Sequence, residues 1–267
     1  KNNSIEYNYN NVESTIYLVD SNDYVARTTI PTCKCEGVDL AKDLLEGLVV
    51  GGTKNNIIPN GFRSIIPPDV TIKDINLQEN ILTINFSKEL LEVNDKDEDK
   101  MIESIIYTLT SIDGIDKVII KVEGEVLNKL PNSKTNISTV LDKSYGINKS
   151  YDLSNLNDIL SYTTYYTSTY NDTKYYVPVT KYINSKDSDV VKIIIKELGS
   201  SPIYQTNLMS YLNANTVLND YELDNNKLKL NFNELLLNDL DKKNILEEVI
   251  YTISLSMNNI YDNLESV

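Results

Sequence analysis

The chain has 267 residues, of which 41% are hydrophobic and 24% are charged, and its formal net charge is −14 with no histidine. This composition predicts a globular protein of about two domains, and no apolar run reaches the roughly 18 to 20 residues that a membrane helix needs. The acidic charge argues against nucleic-acid binding, and the lack of histidine excludes Ser-His-Asp and Cys-His catalytic sites.

The start of the chain is predicted to be a tail followed by a hairpin. Residues 1–11 have no apolar period and no signal-peptide pattern, so any secretion signal is expected to have been removed or to lie upstream. Residues 14–30 form two β-rich runs around the turn cluster 20–23, and residues 163–183 repeat this arrangement around a turn at 171–172. Each half is therefore predicted to open with a hairpin.

Two cysteines, Cys33 and Cys35, follow the first hairpin in a C-x-C pattern. This spacing strains a direct disulfide, and a zinc site with four ligands would need carboxylates because there is no third cysteine and no histidine. A redox or metal motif is one interpretation. We expect instead a pair of incidental thiols in a loop before a helix.

A helix is predicted next in each half, because apolar residues recur with the spacing of one helical face. Asp39 and Asp189 stand just before these faces, where a carboxylate suits the positive end of a helix. The two apolar stripes are Leu40, Ala41, Leu44, Leu45 and Leu48, and Val190, Val191, Ile194, Ile195 and Leu198.

The clearest sign of duplication is that the sequence of a second predicted hairpin occurs in both halves of the chain. The strand ILTINFS, residues 81–87, returns as KLKLNFN, residues 227–233, with Phe232 placed 146 residues after Phe86. Apolar and polar residues alternate in both, as they do in a strand with one buried face. The preceding segments align without gaps, and turn residues join the two strands of each predicted hairpin. The sequence therefore predicts two copies of one domain.

The last helix of each copy carries an apolar stripe, and the two helices share the residues Glu, Ile, Tyr and Thr at matching positions. Tyr107 and Tyr251 lie on the flanks of these helices. We expect both rings to cover the edges of their own cores, while contacts between domains or subunits are the alternative. The predicted stripes are Ile102, Ile105, Ile106, Leu109 and Ile112, and Leu246, Val249, Ile250, Ile253 and Met257.

The acidic run at residues 94–100 imitates the start of a calcium loop, but Lys100 and Ile106 occupy the positions that require glycine and glutamate. We interpret this run as an acidic helix N-terminus. No repeated carboxylate pair lies in an apolar setting that would raise a pKa. No catalytic, cofactor-binding or metal-binding residue is therefore predicted, and no interface residue is assigned.

The predicted domains are residues 12–126 and 160–267, joined by a polar connector, residues 127–159. The connector is expected to pack partly against a domain or to hold a short helix near residues 153–160. A final strand is predicted at residues 115–124, and most of its counterpart is missing from the second copy. We expect that strand to be truncated, or its neighbour to present an open edge to another segment.

The order of these elements, the repeated Asn-Phe strand end and the repeated Ile-Tyr-Thr resemble the GerM family of spore germination and sporulation proteins, which carry tandem GerMN domains. Residues 112–124 and 175–183 also resemble segments of that family, and the resemblance covers residues 12–267. It implies an α+β fold of two tandem similar domains. Each is expected to be a small mixed or antiparallel sheet packed on two helices, similar to the ring-building motif of secretion-system rings and of the sporulation channel.

The resemblance also implies a location and a role. Family members are typically membrane-anchored lipoproteins outside the cytoplasm of Gram-positive endospore formers, between mother cell and forespore. No catalytic set is transferred, so we expect a non-catalytic assembly protein without cofactors. Its expected partners are other sporulation or envelope proteins, or copies of itself. The alternatives are a module that binds cell-wall glycans through the tyrosine-rich strands 162–182, and a cell-wall hydrolase that uses only carboxylates.

Overall fold

The computed structural model describes residues 11–200, 207–237 and 243–267. The chain divides after Tyr145 into two compact units, residues 1–145 and 146–267. Of the predicted tail, only Asn11 lies within the described residues, and it begins the first strand. The four α-helices of the described part of the chain are each too short or too polar to traverse a bilayer.

The first unit opens with the predicted hairpin. Its first elements are β1 (Asn11–Asp20), β2 (Val25–Cys33), α1 (Gly37–Leu48) and β3 (Phe62–Arg63). The turn between β1 and β2 forms because one carboxylate oxygen of Asp20 accepts the backbone N–H groups of Asn22 and Tyr24, each at 2.9 Å. β3 pairs antiparallel with the end of β1, on the side away from β2.

The rest of this unit forms a separate four-stranded sheet with a helix in its connection. The elements are β4 (Ile72–Gln78), β5 (Ile81–Phe86), α2 (Glu98–Leu109), β6 (Lys117–Val122) and β7 (Glu125–Val126). The strands lie in the order β4-β5-β6-β7, with β5 and β6 parallel. A parallel pair needs a crossover, and α2 supplies it.

The second unit repeats the order hairpin, helix, hairpin and helix after one short additional strand. Its elements are β8 (Ser150–Asp152), β9 (Ile159–Tyr170), β10 (Thr173–Asn184), α3 (Val190–Gly199), β11 (Leu218–Asp224), β12 (Lys227–Phe232) and α4 (Glu247–Ile260). The predicted helix cap at Asp189 is confirmed, because its carboxylate accepts the N–H of Lys192 at 3.2 Å. The described structure thus confirms the predicted α+β class and the duplication.

The second hairpins of the two units agree in detail. The β4–β5 ladder is irregular between Ile72 and Asp74, and the β11–β12 ladder is irregular at the equivalent place. After α4, Ser266 forms a parallel bridge with Lys227, which matches the first pair of the β5–β6 ladder. The backbone N–H of Leu228 donates to the carbonyl oxygen of Ser266 at 3.0 Å. In each unit the crossover therefore returns to the first residue of the second strand of the second hairpin.

The apolar stripes of the first helices form the cores as predicted. Buried residues are Ala41, Leu44, Leu45 and Leu48 of α1, and Val191, Ile194, Ile195 and Leu198 of α3. Helix α1 lies very close to the hairpin at Gly47, where an added Cβ would be 2.9 Å from the Cδ1 atoms of Ile16 and Ile30. Ser64 secures this contact by donating to the carbonyl oxygen of Gly47 at 2.7 Å.

The predicted connector is shared between the two units. Residues 127–145 fold onto the first unit, where Leu141 bridges to Val118 and is buried. In the second unit, β8 pairs in parallel with β10. The short helix considered near residues 153–160 is absent from that described segment, because Asn184 binds the backbone of the loop before β9 instead.

Candidate interaction surface

The clearest difference between the two units lies on one face of their last helices. Leu246, Ile250 and Tyr251 are 38%, 48% and 40% exposed; Leu246 is the N-cap residue, Ile250 follows it by one helical turn, and Tyr251 lies on the adjoining flank. We call these three residues the α4 face. Their equivalents in α2, Ile102, Ile106 and Tyr107, are fully buried. The predicted burial of Leu246 and Ile250 is therefore wrong, although Val249, Ile253 and Met257 are buried as expected.

Helix α2 packs on α1 and on strands of its unit, chiefly β1, and the chain that follows β7 also contacts its first turn. The carboxylate of Glu98, at the start of α2, accepts backbone N–H groups from Asn132 at 2.6 Å and from Ser133 at 3.0 Å. The hydroxyl of Tyr145 donates to the carboxylate of Asp99. Helix α4, by contrast, packs mainly on β9 and α3. The first unit therefore shows that this helix face can be buried completely.

The two tyrosines considered in the sequence lie in different environments. The ring of Tyr107 meets Tyr17 edge to face, with centroids 5.3 Å apart, so it covers its own core as predicted. Tyr251 stacks on Tyr176 with centroids 5.1 Å apart and an interplanar angle of 13°, yet it is 40% exposed. A ring that is already held on one side loses little conformational freedom when it binds on the other.

Charged groups border the α4 face. Glu247 and Glu248 occupy the first turn of α4, and Lys174 of β10 donates to the carboxylate of Glu248. This hydrogen bond lowers the pKa of Glu248. The Lys174 ammonium also lies 4.9 Å from the ring centroid of Tyr211. An apolar patch with a charged rim is the usual composition of a protein–protein interface.

Five of the seven tyrosines in strands 162–182, which the glycan-binding alternative would use, are buried, while Tyr182 stacks on the 65% exposed ring of Tyr151 with centroids 4.8 Å apart. The tyrosines buried in β9 and β10 are Tyr162, Tyr165, Tyr166, Tyr175 and Tyr176. The carboxylate of Glu197 accepts the hydroxyl of Tyr166 at 2.9 Å, and Lys181 pairs with the same carboxylate. These side chains hold α3 on the hairpin, so their burial favours a structural role.

The acidic run lies at the N-terminus of α2, as predicted. Glu98 and Asp99 lie in its first turn, and Arg63 forms two hydrogen bonds with Asp97, at 2.9 and 3.1 Å. Burial of Asp97 opposes ionisation, but the hydrogen bonds from Arg63 and Asn94 outweigh it and lower its pKa. Within the described residues, no group of three or more His, Cys, Asp or Glu side chains is arranged to hold a metal ion.

The described carboxyl groups with clearly shifted pKa values are all shifted downwards. A hydrogen bond from Lys73, for example, lowers the pKa of Glu123. A glycosidase needs one carboxyl group whose pKa is raised, so that it can donate a proton to the leaving group. These shifts give no support to the carboxylate-hydrolase alternative.

The cysteines differ from the sequence prediction. Cys33 and Cys35 form a disulfide bond, with their Cα atoms 5.3 Å apart, so the expectation of two incidental thiols is wrong. The physical reason is the sharp turn between β2 and α1, which brings the two Cα atoms within the range that a disulfide allows.

Comparison with known proteins agrees with this duplicated architecture. A family profile described as "Germane: Sporulation and spore germination" matches residues 15–128 and 163–262, one range in each unit. The chain belongs to the Germane family. This confirms the resemblance seen in the repeated sequence motifs.

A Bacillus subtilis protein and a solved structure from the same organism are similar to this Germane chain. "Spore germination protein GerM" of strain 168 is 33% identical over 248 residues, which cover 91% of this chain and 67% of that protein. The solved structure "Tandem GerMN domains of the sporulation protein GerM" matches with a TM-score of 0.83 and 31% identity, over 93% of this chain and 86% of that one. The fold and the sporulation family are thus shown together.

Proposed function

We propose that this protein is a non-catalytic assembly protein of endospore formation and germination, and that it contributes to a multiprotein complex or ring of the spore envelope. The observation that carries the proposal is the α4 face. Three large apolar side chains are 38% to 48% exposed there, while the equivalent positions of the first unit are fully buried. Exposed apolar patches with polar rims mark interaction surfaces.

The proposed location is outside the cytoplasm, between mother cell and forespore, on a membrane-anchored lipoprotein. The similarity to the B. subtilis sporulation protein supports the process. The Cys33–Cys35 disulfide supports the compartment, because disulfides persist mainly in oxidising environments outside the cytoplasm. The proposed partners are other envelope proteins of sporulation or further copies of this chain.

The test is an Ile250→Glu variant, produced with an affinity tag in sporulating cells of the native host. A charge at the centre of an apolar contact is expensive because it loses its water, and replacing one central anchor typically weakens binding by about 2 kcal/mol or more. We expect at least about a tenfold loss of the cross-linked complexes seen with the unchanged protein on native gels, and slower germination of the resulting spores.

The matched control is Leu223→Glu, because Leu223 is 47% exposed on β11 and lies outside the α4 face. This variant should keep the complexes. Thermal unfolding of both variants must agree with the unchanged protein within a few degrees. The proposal is wrong if the unchanged protein yields only monomers, or if both variants lose the complexes equally.

A further inference from the structure

The loop between β2 and α1 carries a disulfide bond over a single intervening residue. Cys33 is the last residue of β2, and Cys35 stands two residues before Gly37, the first residue of α1. Both cysteines are partly accessible, and Lys34 between them is exposed. The bond therefore lies at the surface of the first unit and not within its core.

A structural role explains this bond poorly. A disulfide stabilises a fold mainly by restricting the unfolded chain, and its effect grows with the length of the loop that it closes. A bridge with one residue between its ends closes almost the shortest loop there is. Long loops elsewhere in the described chain are held by hydrogen bonds and by apolar contacts.

The surrounding backbone is fixed without the bond. The N–H of Cys33 donates to Oδ2 of Asp43 at 2.8 Å, and Asp43 is paired with Lys54 at 2.6 Å. Lys54 also donates to the carbonyl oxygen of Pro31 at 3.4 Å, and Cys33 is paired with Asn11 in the β1–β2 ladder. None of these contacts involves either sulfur, so we expect them to keep β2 and α1 in place when the disulfide opens.

The setting also favours Cys35 as the leaving thiolate. Cys35 lies two residues before Gly37, the first residue of the 12-residue helix α1. The positive N-terminal end of a helix stabilises a thiolate. Lys34 adds a positive charge, while Glu36 and Asp39 oppose it. A stabilised thiolate is a good leaving group, so attack at Cys33 that releases Cys35 is the favoured direction.

A groove of about 360 Å³ begins beside the loop, at Glu36 and Gly37. It continues between α1 and the start of β1, and its lining combines Leu40 and Leu44 with the hydroxyls of Ser14 and Ser111. Such a groove provides apolar contacts and hydrogen-bonding groups for an extended peptide next to the disulfide.

We propose that Cys33–Cys35 is a thiol–disulfide exchange site, and that its substrate is a pair of cysteine thiols in another protein. A substrate thiolate attacks Cys33, the bond between the two cysteines breaks, and Cys35 leaves as a thiolate that takes up a proton. The second substrate thiol, after losing its proton, then attacks the mixed disulfide and releases Cys33. The substrate is oxidised to a disulfide, and two electrons and two protons pass to the cysteine pair. This activity is independent of the proposed assembly role.

The test uses the whole chain and a synthetic peptide with two reduced cysteines. We expect one peptide disulfide to form for each protein disulfide that is reduced, as measured by alkylation and mass spectrometry. The Cys35→Ser variant leaves Cys33 as a free thiol. With a single-cysteine version of the peptide, activated as its disulfide with thionitrobenzoate, it should form a stable mixed disulfide at Cys33, because neither Cys35 nor a second peptide thiol is present to resolve it.

The control is the double variant Cys33→Ser and Cys35→Ser, which should leave the peptide reduced and keep the circular dichroism spectrum of the unchanged protein. The proposal is overturned if the protein disulfide stays closed in the presence of the reduced peptide and in a glutathione buffer. It is also overturned if opening the bond unfolds the first unit. The double variant should retain the envelope complexes, so failure here and failure of the assembly proposal are separate results.

Discussion

Replacing Tyr107 by alanine is expected to lower the free energy of unfolding of the first unit by about 3 to 5 kcal/mol. The side chain is fully buried and packs edge to face on Tyr17, so truncation removes its apolar contacts and leaves a cavity between α2 and β1. The neighbouring Ser104 and Thr108 bond to the backbone of Tyr17, which limits how far the helix can move to close the space. Urea unfolding followed by circular dichroism gives the measurement.

The equivalent change in the second unit provides an internal comparison. Tyr251→Ala removes a ring that is 40% exposed and packs on Tyr176 through one face, so we expect a loss below about 1.5 kcal/mol. The same substitution at equivalent helix positions is thus expected to cost different amounts of unfolding free energy, because Tyr107 is enclosed and Tyr251 is not. Similar losses at both positions would contradict the contrast in burial on which the α4 face depends.

Replacing Glu98 by glutamine is expected to destabilise the first unit by about 1.5 to 3 kcal/mol at neutral pH. Glu98 is only 3% exposed, and its two carboxylate oxygens receive the N–H groups of Asn132 and Ser133. A neutral amide presents one acceptor oxygen and one NH2 donor, so one N–H group loses its acceptor and the other loses its charged partner. The segment that covers α2 should then be held less firmly, and its amide protons should exchange faster with deuterium.

The same carboxylate predicts a dependence of stability on pH. Burial alone would raise the pKa of Glu98, but the hydrogen bonds from Ser133 and Asn132 outweigh burial and lower it from its ordinary value of 4.5. Its contribution is therefore fully present above about pH 4.5 and is lost as the pH falls through the lower pKa of the folded protein. We expect the Glu98→Gln variant to lose less stability than the unchanged protein below that pH.

Glu92→Gln serves as the control, because Glu92 is exposed on the short turn before α2. This variant should keep the stability and the acid sensitivity of the unchanged protein within about 0.5 kcal/mol. If Glu98→Gln and Glu92→Gln behave alike between pH 3 and pH 7, Glu98 does not hold the covering segment.

Periodicity predicted the helices and strands well because it reports which side of an element is apolar. The cap at Asp189 and the buried stripe of α1 follow directly from such local patterns. Periodicity does not report whether another layer covers that side. Ile106 and Ile250 are both followed by Tyr-Thr in the sequence, yet Ile106 is fully buried and Ile250 is 48% exposed, because burial depends on which other elements pack on each helix.

The remaining features depend on contacts between distant residues. Nothing in the acidic run marked Glu98 as the residue that binds the loop at Asn132, which lies 34 positions later. The disulfide was missed because spacing alone suggests strain, while the turn from β2 into α1 sets the actual Cα separation. The duplicated pattern was the one signal that could have exposed the α4 face, through a comparison of the segments that come after α2 and after α4.

The close approach of Gly47 to the first hairpin restricts which amino-acid substitutions this protein can accept. Any side chain at that position would collide with Ile16 and Ile30, which are themselves fully buried on the two strands of the first hairpin. A mutation to alanine requires the Cδ1 ends of both isoleucines to move, and shortening them, for example to valine, removes these contacts. Substitutions at Gly47, Ile16 and Ile30 should therefore be coupled during evolution, and we expect glycine to be the last of the three to change.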